Sequence, residues 1–247
     1  MNEPNTEGIH GPSVDPMHEP RALPTNSMPQ HHPMTTEAST ATKRPVLAVF
    51  DFDGTLTTAD SLGAFLHLHL GTMAWGWALV RQSPMLMAYV LRRVPNHQAK
   101  DALLQQTLQG ASADLLEESA QRLVTRWLPR HLNPWAWDQL QSHQQAGHTC
   151  VLLSASLDVY LGAVARALNI PHLICTGLAM QDGRCSGRMS TPNCHGEEKW
   201  HRLQAWFAQQ GQPRESWELH AYGDTRGDLP VLRQADQAWW RGRPWHS

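Results

Sequence analysis

Val46-Leu47-Ala48-Val49-Phe50-Asp51-Phe52-Asp53-Gly54-Thr55 is the stretch on which the fold turns. Five consecutive apolar residues end abruptly at an acid, the pattern of a buried parallel strand whose carboxyl end opens onto a crevice. Residues i and i+2 of a strand share a face, so Asp51 and Asp53 can converge while Phe52 turns toward packing. Gly54 then lets the chain leave the strand sharply. Similar apolar runs recur downstream. Cys150 to Leu153 stops at Ser154, His172 to Cys175 follows a helical segment, and Leu219 to Tyr222 stops at Gly223-Asp224.

Between these runs lie helical segments. One opens at Asn133-Pro134, runs through Trp135 to Ala146 and ends at Gly147; another spans Leu157 to Leu168 with Ser156 as its N-cap; a third covers Glu197 to Gln210. Strands alternating with helices imply an α/β fold, a doubly wound parallel sheet covered on both faces. The stretch from Ala59 to Arg130 contains no convincing strand and reads as a helical cap inserted after the first strand. The expected division is a tail at 1–44, a core at 45–58 and 131–247, and the cap at 59–130. The tail is rich in Pro, His, Ser, Thr, Asn and Glu without apolar periodicity, so disorder is expected there, the His31-His32 pair included. Trp239 to Trp245 suggests a last strand and a basic surface loop.

The 247 residues, 41% apolar and 17% charged, suit one well-cored domain with a smaller appendage. A net charge of −2 offers no basic excess for nucleic acid. Cys150, Cys175, Cys185 and Cys194 lack C-x-x-C spacing and read as free thiols of a reducing compartment. The N-terminus has no basic start followed by an apolar core, so a cytoplasmic protein is expected.

Three polar signals stand at strand ends: Asp51 to Thr55, Ser154, and Gly223-Asp224. A ligand crevice is expected at the carboxyl ends of parallel strands. Asp51, Asp53 and Asp224 make an oxygen-only site suited to a hard cation such as Mg²⁺. Lys199 adds a compact positive charge, and Ser154 adds a hydroxyl before a helix N-terminus. Together these parts can position and neutralise a phosphoryl group, and an aspartate can act as nucleophile. A calcium loop is excluded, because the sixth and twelfth positions counted from Asp51 are Leu56 and Leu62 rather than Gly and Glu. His67 with His69, and Cys194 with His195 and His201, do not complete a zinc spacing. The serine-hydrolase elbow, the P-loop and the dinucleotide fingerprint are absent.

Asp51-Phe52-Asp53-Gly54-Thr55 resembles the first motif of haloacid dehalogenase-type phosphatases, D-x-D-G-T. Ser154 resembles the second motif, Lys199 in Gly196-Glu197-Glu198-Lys199 the third, and Gly223-Asp224-Thr225-Arg226-Gly227-Asp228 the fourth, in the family's order. The resemblance implies a Rossmann-like core and a magnesium-dependent phosphomonoesterase. It implies that Asp51 attacks phosphorus and that Asp53 protonates the leaving alcohol and then activates water. Magnesium would be held by the Asp51 and Asp224 carboxylates and the Asp53 backbone carbonyl, with Asp228 supporting the metal shell. Ser154 and Lys199 would bind phosphate. The insertion resembles the helical cap of the phosphoserine-phosphatase-like subgroup, in which Asp60 stands where an acid meets the substrate's amino group. Ser154-Ala155-Ser156 departs from that subgroup's S-G-G, and its Arg-bearing cap motif is not found around Arg92 and Arg93. Asn193 to Lys199 looks closer to lipid-phosphate members, including phosphatidylglycerophosphate phosphatases.

From Ser61 to Leu91 only Arg81 is charged, and Phe65, Trp75, Trp77 and Tyr89 add aromatic surface. Ser83-Pro84 is expected to divide this stretch into two helices. Its apolar face implies packing on the core or on a second copy, or contact with a membrane surface. The expected substrate is a small-molecule or lipid phosphate ester. A non-catalytic phosphate-ligand or partner-binding module is the competing class, and the intact Asp51 and Asp53 pair opposes it.

Overall fold

The computed structural model describes residues 44–90 and 96–246. The tail through residue 43, with its histidine pair, and Arg92 and Arg93 lie outside the described residues. In chain order, β1 (Val46–Phe50) leads through the turn at Phe52–Leu56 into α1 (Ser61–Leu70), α2 (Thr72–Val90), α3 (Asn96–Leu108) and α4 (Ala113–Arg122). A wide turn at Leu123–Trp127 and the short α5 (Leu128–His131) return the chain to α6 (Pro134–Gln145), β2 (Thr149–Leu157) and α7 (Asp158–Ala167). Next come β3 (His172–Thr176), β4 (Leu178–Gln181), β5 (Arg184–Met189) and α8 (Glu197–Gln209). β6 (Glu218–Gly223), the short α9 (Leu229–Leu232), β7 (Gln237–Trp240) and β8 (Arg243–Trp245) complete the chain.

The main sheet has the order β3-β2-β1-β6-β7-β8. β1 is central and parallel to both neighbours, with Ala48 opposite Cys150 and His220. Only β8 runs antiparallel, pairing with β7 as an edge hairpin over Trp239 to Trp245. All five β1 residues are buried, as a strand covered on both faces requires. Ala48 and Phe50 face one core with α6, α7 and the inserted helices, whereas Leu47 and Val49 face another with Leu203, Trp206 and Phe207 of α8. Burying each such Leu, Val or Phe side chain stabilises the fold by roughly 1.5–3 kcal/mol before entropy is counted. The four cysteines are free.

Several elements differ from the sequence expectations. α1 ends at Gly71, whose φ of 79° no β-carbon-bearing residue adopts comfortably. α2 then runs through Ser83-Pro84, where the division was expected. A proline inside a helix forfeits one backbone hydrogen bond, which this longer helix tolerates. β2 continues past Ser154 to Leu157, and α7 starts at Asp158 with no side-chain cap, so Ser156 is free of the capping role expected for it. The β4–β5 hairpin was not foreseen. It turns at Asp182 and Gly183, with φ values of 50° and 72°, and pairs Gln181 with Arg184. The hairpin is tied to the α3–α4 connection by Gly110 N–H donating to Cys185 O at 2.8 Å and Cys185 N–H donating to Ala111 O at 2.8 Å. Gly187, at φ 76°, lies against the Gln105 backbone, so the hairpin and α3 approach too closely for a side chain there.

Candidate active site

Asp51 follows the last β1 residue and stays in the sheet's hydrogen bonding, its N–H donating to Tyr222 O at 3.0 Å. Phe52 is fully buried, and the alternation sends the Asp51 and Asp53 side chains into a common cleft of about 490 Å³, lined also by Asp60, Ser154, Lys199 and Thr225. The chain turns away at Gly54, whose φ is 83°; a β-carbon there would run into the Asp224 carboxylate. That approach brings the ends of β1 and β6 together.

Lys199 stands in the first turn of α8 with its side chain only 4% exposed. Its ammonium donates to Asp51 Oδ1 at 2.6 Å and to Asp228 Oδ1 at 2.5 Å. The other Asp228 oxygen accepts from Asp224 N–H at 3.2 Å, Thr225 N–H at 2.9 Å and the Thr225 hydroxyl at 2.9 Å. Asp228 therefore braces both Lys199 and the loop that carries Asp224. Asp224 Oδ1 accepts from the Thr55 hydroxyl at 3.2 Å, and Arg241 Nε donates to the Asp224 carbonyl at 2.9 Å.

Carboxylate oxygens of Asp51, Asp224 and Asp228 lie within 4.8 Å of one another, the one such cluster found among the described residues. Lys199 pairs with two of these three acids, Asp51 and Asp228, so the cluster holds more carboxyl groups than this one ammonium balances. Burial, with the charges of Asp228 and Asp53 adding to it and Lys199 opposing, raises the Asp51 carboxyl above the usual carboxylate range. Burial and Asp228 also raise Asp224. Lys199 is held protonated by its two carboxylates despite its burial. An all-oxygen donor set with surplus negative charge fits a hard divalent cation.

Asp53 is engaged differently. Its Oδ1 accepts from Ser61 N–H at 2.7 Å, at the start of α1, and its Oδ2 accepts from the Ser156 hydroxyl. Burial first, and then the charge of Asp60, raise its pKa to about 6 against these hydrogen bonds. Ser154 is buried, and its Oγ accepts from Ser156 N–H at 3.1 Å. Asp60 lies at the cleft and caps α1 by accepting from Gly63 N–H at 3.1 Å.

The structure thus brings Asp51, Asp53, Asp60, Ser154 and Lys199 to one cleft, with Asp224 and Asp228 behind Asp51 and Lys199. Sequence reasoning missed Ser61, Ser156, Lys100 and Asn193. Ser156 had a signal, since it lies two residues after Ser154, on the same face of an extended chain. Lys100 had none: it comes from α3 of the insertion and lines the cleft through the tertiary fold alone. His67 and His69, which complete no zinc spacing, have local partners, Thr72 at 3.0 Å and Ser119 at 3.0 Å.

A profile described as haloacid dehalogenase-like hydrolase matches residues 48–233. The CicA protein of Caulobacter vibrioides is 35% identical over 216 residues, covering 86% of this chain and 93% of its own length. A histidinol-phosphatase of Neisseria meningitidis is 27% identical over 201 residues, covering 76% of this chain and 86% of its own. A solved structure titled as a phospho-aspartyl intermediate analogue of phosphoserine phosphatase shares the fold. It has a TM-score of 0.56 at 15% identity, over 79% of this chain and 86% of that one.

Proposed function

The chain belongs to the haloacid dehalogenase-like hydrolase family and is an enzyme of its phosphatase type, and from that premise we propose a magnesium-dependent phosphomonoesterase working through a phosphoaspartate on Asp51. The observation that carries this reading is the meeting of Asp51, Asp53, Ser154 and Lys199 in one cleft at the carboxyl ends of the parallel strands. Asp51 attacks phosphorus, and the ester oxygen leaves with the proton of Asp53. A pKa of about 6 suits Asp53 to both halves of the cycle, as acid toward the leaving alcohol and then as base toward water. Ser154 and Lys199 bind the phosphoryl oxygens, and Asp228 fixes Lys199. A magnesium ion at the Asp51 and Asp224 carboxylates and the Asp53 carbonyl would neutralise phosphoryl charge that otherwise repels the nucleophile.

The leaving group faces Asp60 and the apolar wall of Leu62, Ala99 and Leu103, which suits a small or amphiphilic ester. The names of the histidinol-phosphatase and the phosphoserine phosphatase point to the small, soluble end of that range. One observation favours the amphiphilic end, a phosphatidylglycerophosphate-type lipid substrate met at a membrane surface. Met73, Trp77 and Val80 recur at i, i+4 and i+7 on α2 and are 83%, 73% and 65% exposed. No helix among the described residues is long and apolar enough to cross a membrane.

The test is phosphate release from phosphoserine, histidinol phosphate, sugar phosphates and phosphatidylglycerophosphate in mixed micelles, with magnesium or chelator. Release should require magnesium, and Asp51→Asn should lower it by ~10³-fold or more. Turnover that survives chelation or Asp51→Asn would refute the mechanism.

A further inference from the structure

Ala155 sits where β2 leaves its ladder: the β2–β3 register shifts between Ser154 and Leu157. Its carbonyl is met by side chains, with Thr176 Oγ1 at 2.8 Å and Lys100 Nζ at 2.6 Å. Lys100 also donates to Asn193 Oδ1 at 2.9 Å, an oxygen that lies 3.2 Å from the same Thr176 hydroxyl. A hydroxyl has one proton and can serve only one of these two acceptors at a time, whereas an ammonium has three and serves both. Lys100 therefore completes the knot, and it does so from the insertion, reaching core residues 55 and 93 positions away in sequence.

The turn held in this way carries two hydroxyls of the site. Ser156 N–H donates to Ser154 Oγ at 3.1 Å, and the Ser156 hydroxyl donates to Asp53 Oδ2. Both hydrogen-bond acceptors of Lys100 are neutral carbonyl-type oxygens. Packing alone gives little reason to draw a partly buried ammonium away from carboxylate partners. Burial lowers the Lys100 pKa to about 8, and the charges of Asp53 and Asp60 oppose that loss.

We propose that Lys100 is a positioning residue for the leaving-group acid: through the Ala155 carbonyl it sets the Ser154–Ser156 turn, and through Ser156 it orients the Asp53 carboxyl. The inference rests on the reading of Asp53 as that acid. In the phosphoryl-transfer half of the cycle, an ester whose alcohol needs the proton should feel the loss of Lys100 and one whose alcohol leaves unprotonated should not, whereas the later water step, which also uses Asp53, is the same for both.

Lys100→Met keeps the side-chain stem and removes the ammonium. The full-length variant is compared with the parent on glycerol 1-phosphate, an alkyl ester, and p-nitrophenyl phosphate, an aryl ester with a good leaving group. kcat/KM, which reads the steps through phosphoryl transfer, should fall about tenfold or more on the alkyl ester, since general acid catalysis is worth about 10²–10⁴-fold, and by under about threefold on the aryl ester. Lys100→Gln, which retains a donor toward Ala155, should recover part of the loss and stands in if the methionine variant does not fold. Amide exchange over residues 154–157 should accelerate in the methionine variant without any substrate. Equal losses of kcat/KM on both esters, or unchanged exchange in that segment, would overturn the proposal. A parent protein that turned over neither ester would count against the phosphatase reading, leaving exchange alone to decide whether Lys100 holds the turn.

Discussion

His143 is buried with its Nε2 2.8 Å from the Tyr222 hydroxyl and its Nδ1 2.7 Å from His148 Nδ1. Burial, helped by neighbouring His220 and His148, pushes its pKa down to about 4 from an ordinary value of 6.5. The unfolded chain takes up this proton first. Stability from this residue is therefore full above about pH 6.5 and declines as pH falls toward 4, by on the order of 1–3 kcal/mol in all. Denaturant unfolding of His143→Gln should show a flatter decline between pH 7 and pH 5 than the parent; an unchanged slope would assign the limb to other groups. Ser156 lies two residues after Ser154, in the last part of β2. Its hydroxyl, read as a helix cap, lines the cleft because β2 runs four residues further than its apolar run, and no local rule marks where such a strand ends.

At the scale of elements, α2 presents its Met73, Trp77 and Val80 stripe to solvent while Ala78 packs inward. If that face meets lipid, Trp77→Glu should abolish co-sedimentation with anionic liposomes and leave turnover of a soluble ester intact. Co-sedimentation that persists, or that the parent never shows, would reserve the stripe for protein contact. The parallel strands were legible because continuous apolar runs of strand length have few alternatives, and the acids at their ends were legible because each run stops on a polar residue. The β4–β5 hairpin was not, since Leu178–Gln181 and Arg184–Met189 are short and poorly alternating. Only Asp182-Gly183, a dipeptide suited to tight hairpin turns, marked it. Gly71 was the helix break, and Ser83-Pro84 was not: a glycine at positive φ ends a helix, whereas a proline inside a long one need not.

Across the whole molecule, the sheet gathers Asp51, Ser154 and Asp224 from three adjacent strands, while α8 sends Lys199 in from one face. The inserted helices contribute Asp60, Ser61 and Lys100 from the other side of the cleft. The strand-end residues were legible one motif at a time. The contacts that join insertion to core, Lys100 to Ala155 and the α3–α4 connection to β5, depend on tertiary approach and had no pattern to read. Whether Asp51 carries the phosphoryl group is decided by reacting the protein with acetyl phosphate and magnesium, quenching in acid and mapping the modified peptide by mass spectrometry. A single phosphoryl group on Asp51, removed by hydroxylamine and missing in Asp51→Asn, is the result expected. A phosphoryl group on Asp53 or Ser154, or turnover with no covalent adduct and with Asp51→Asn still active, would contradict the account.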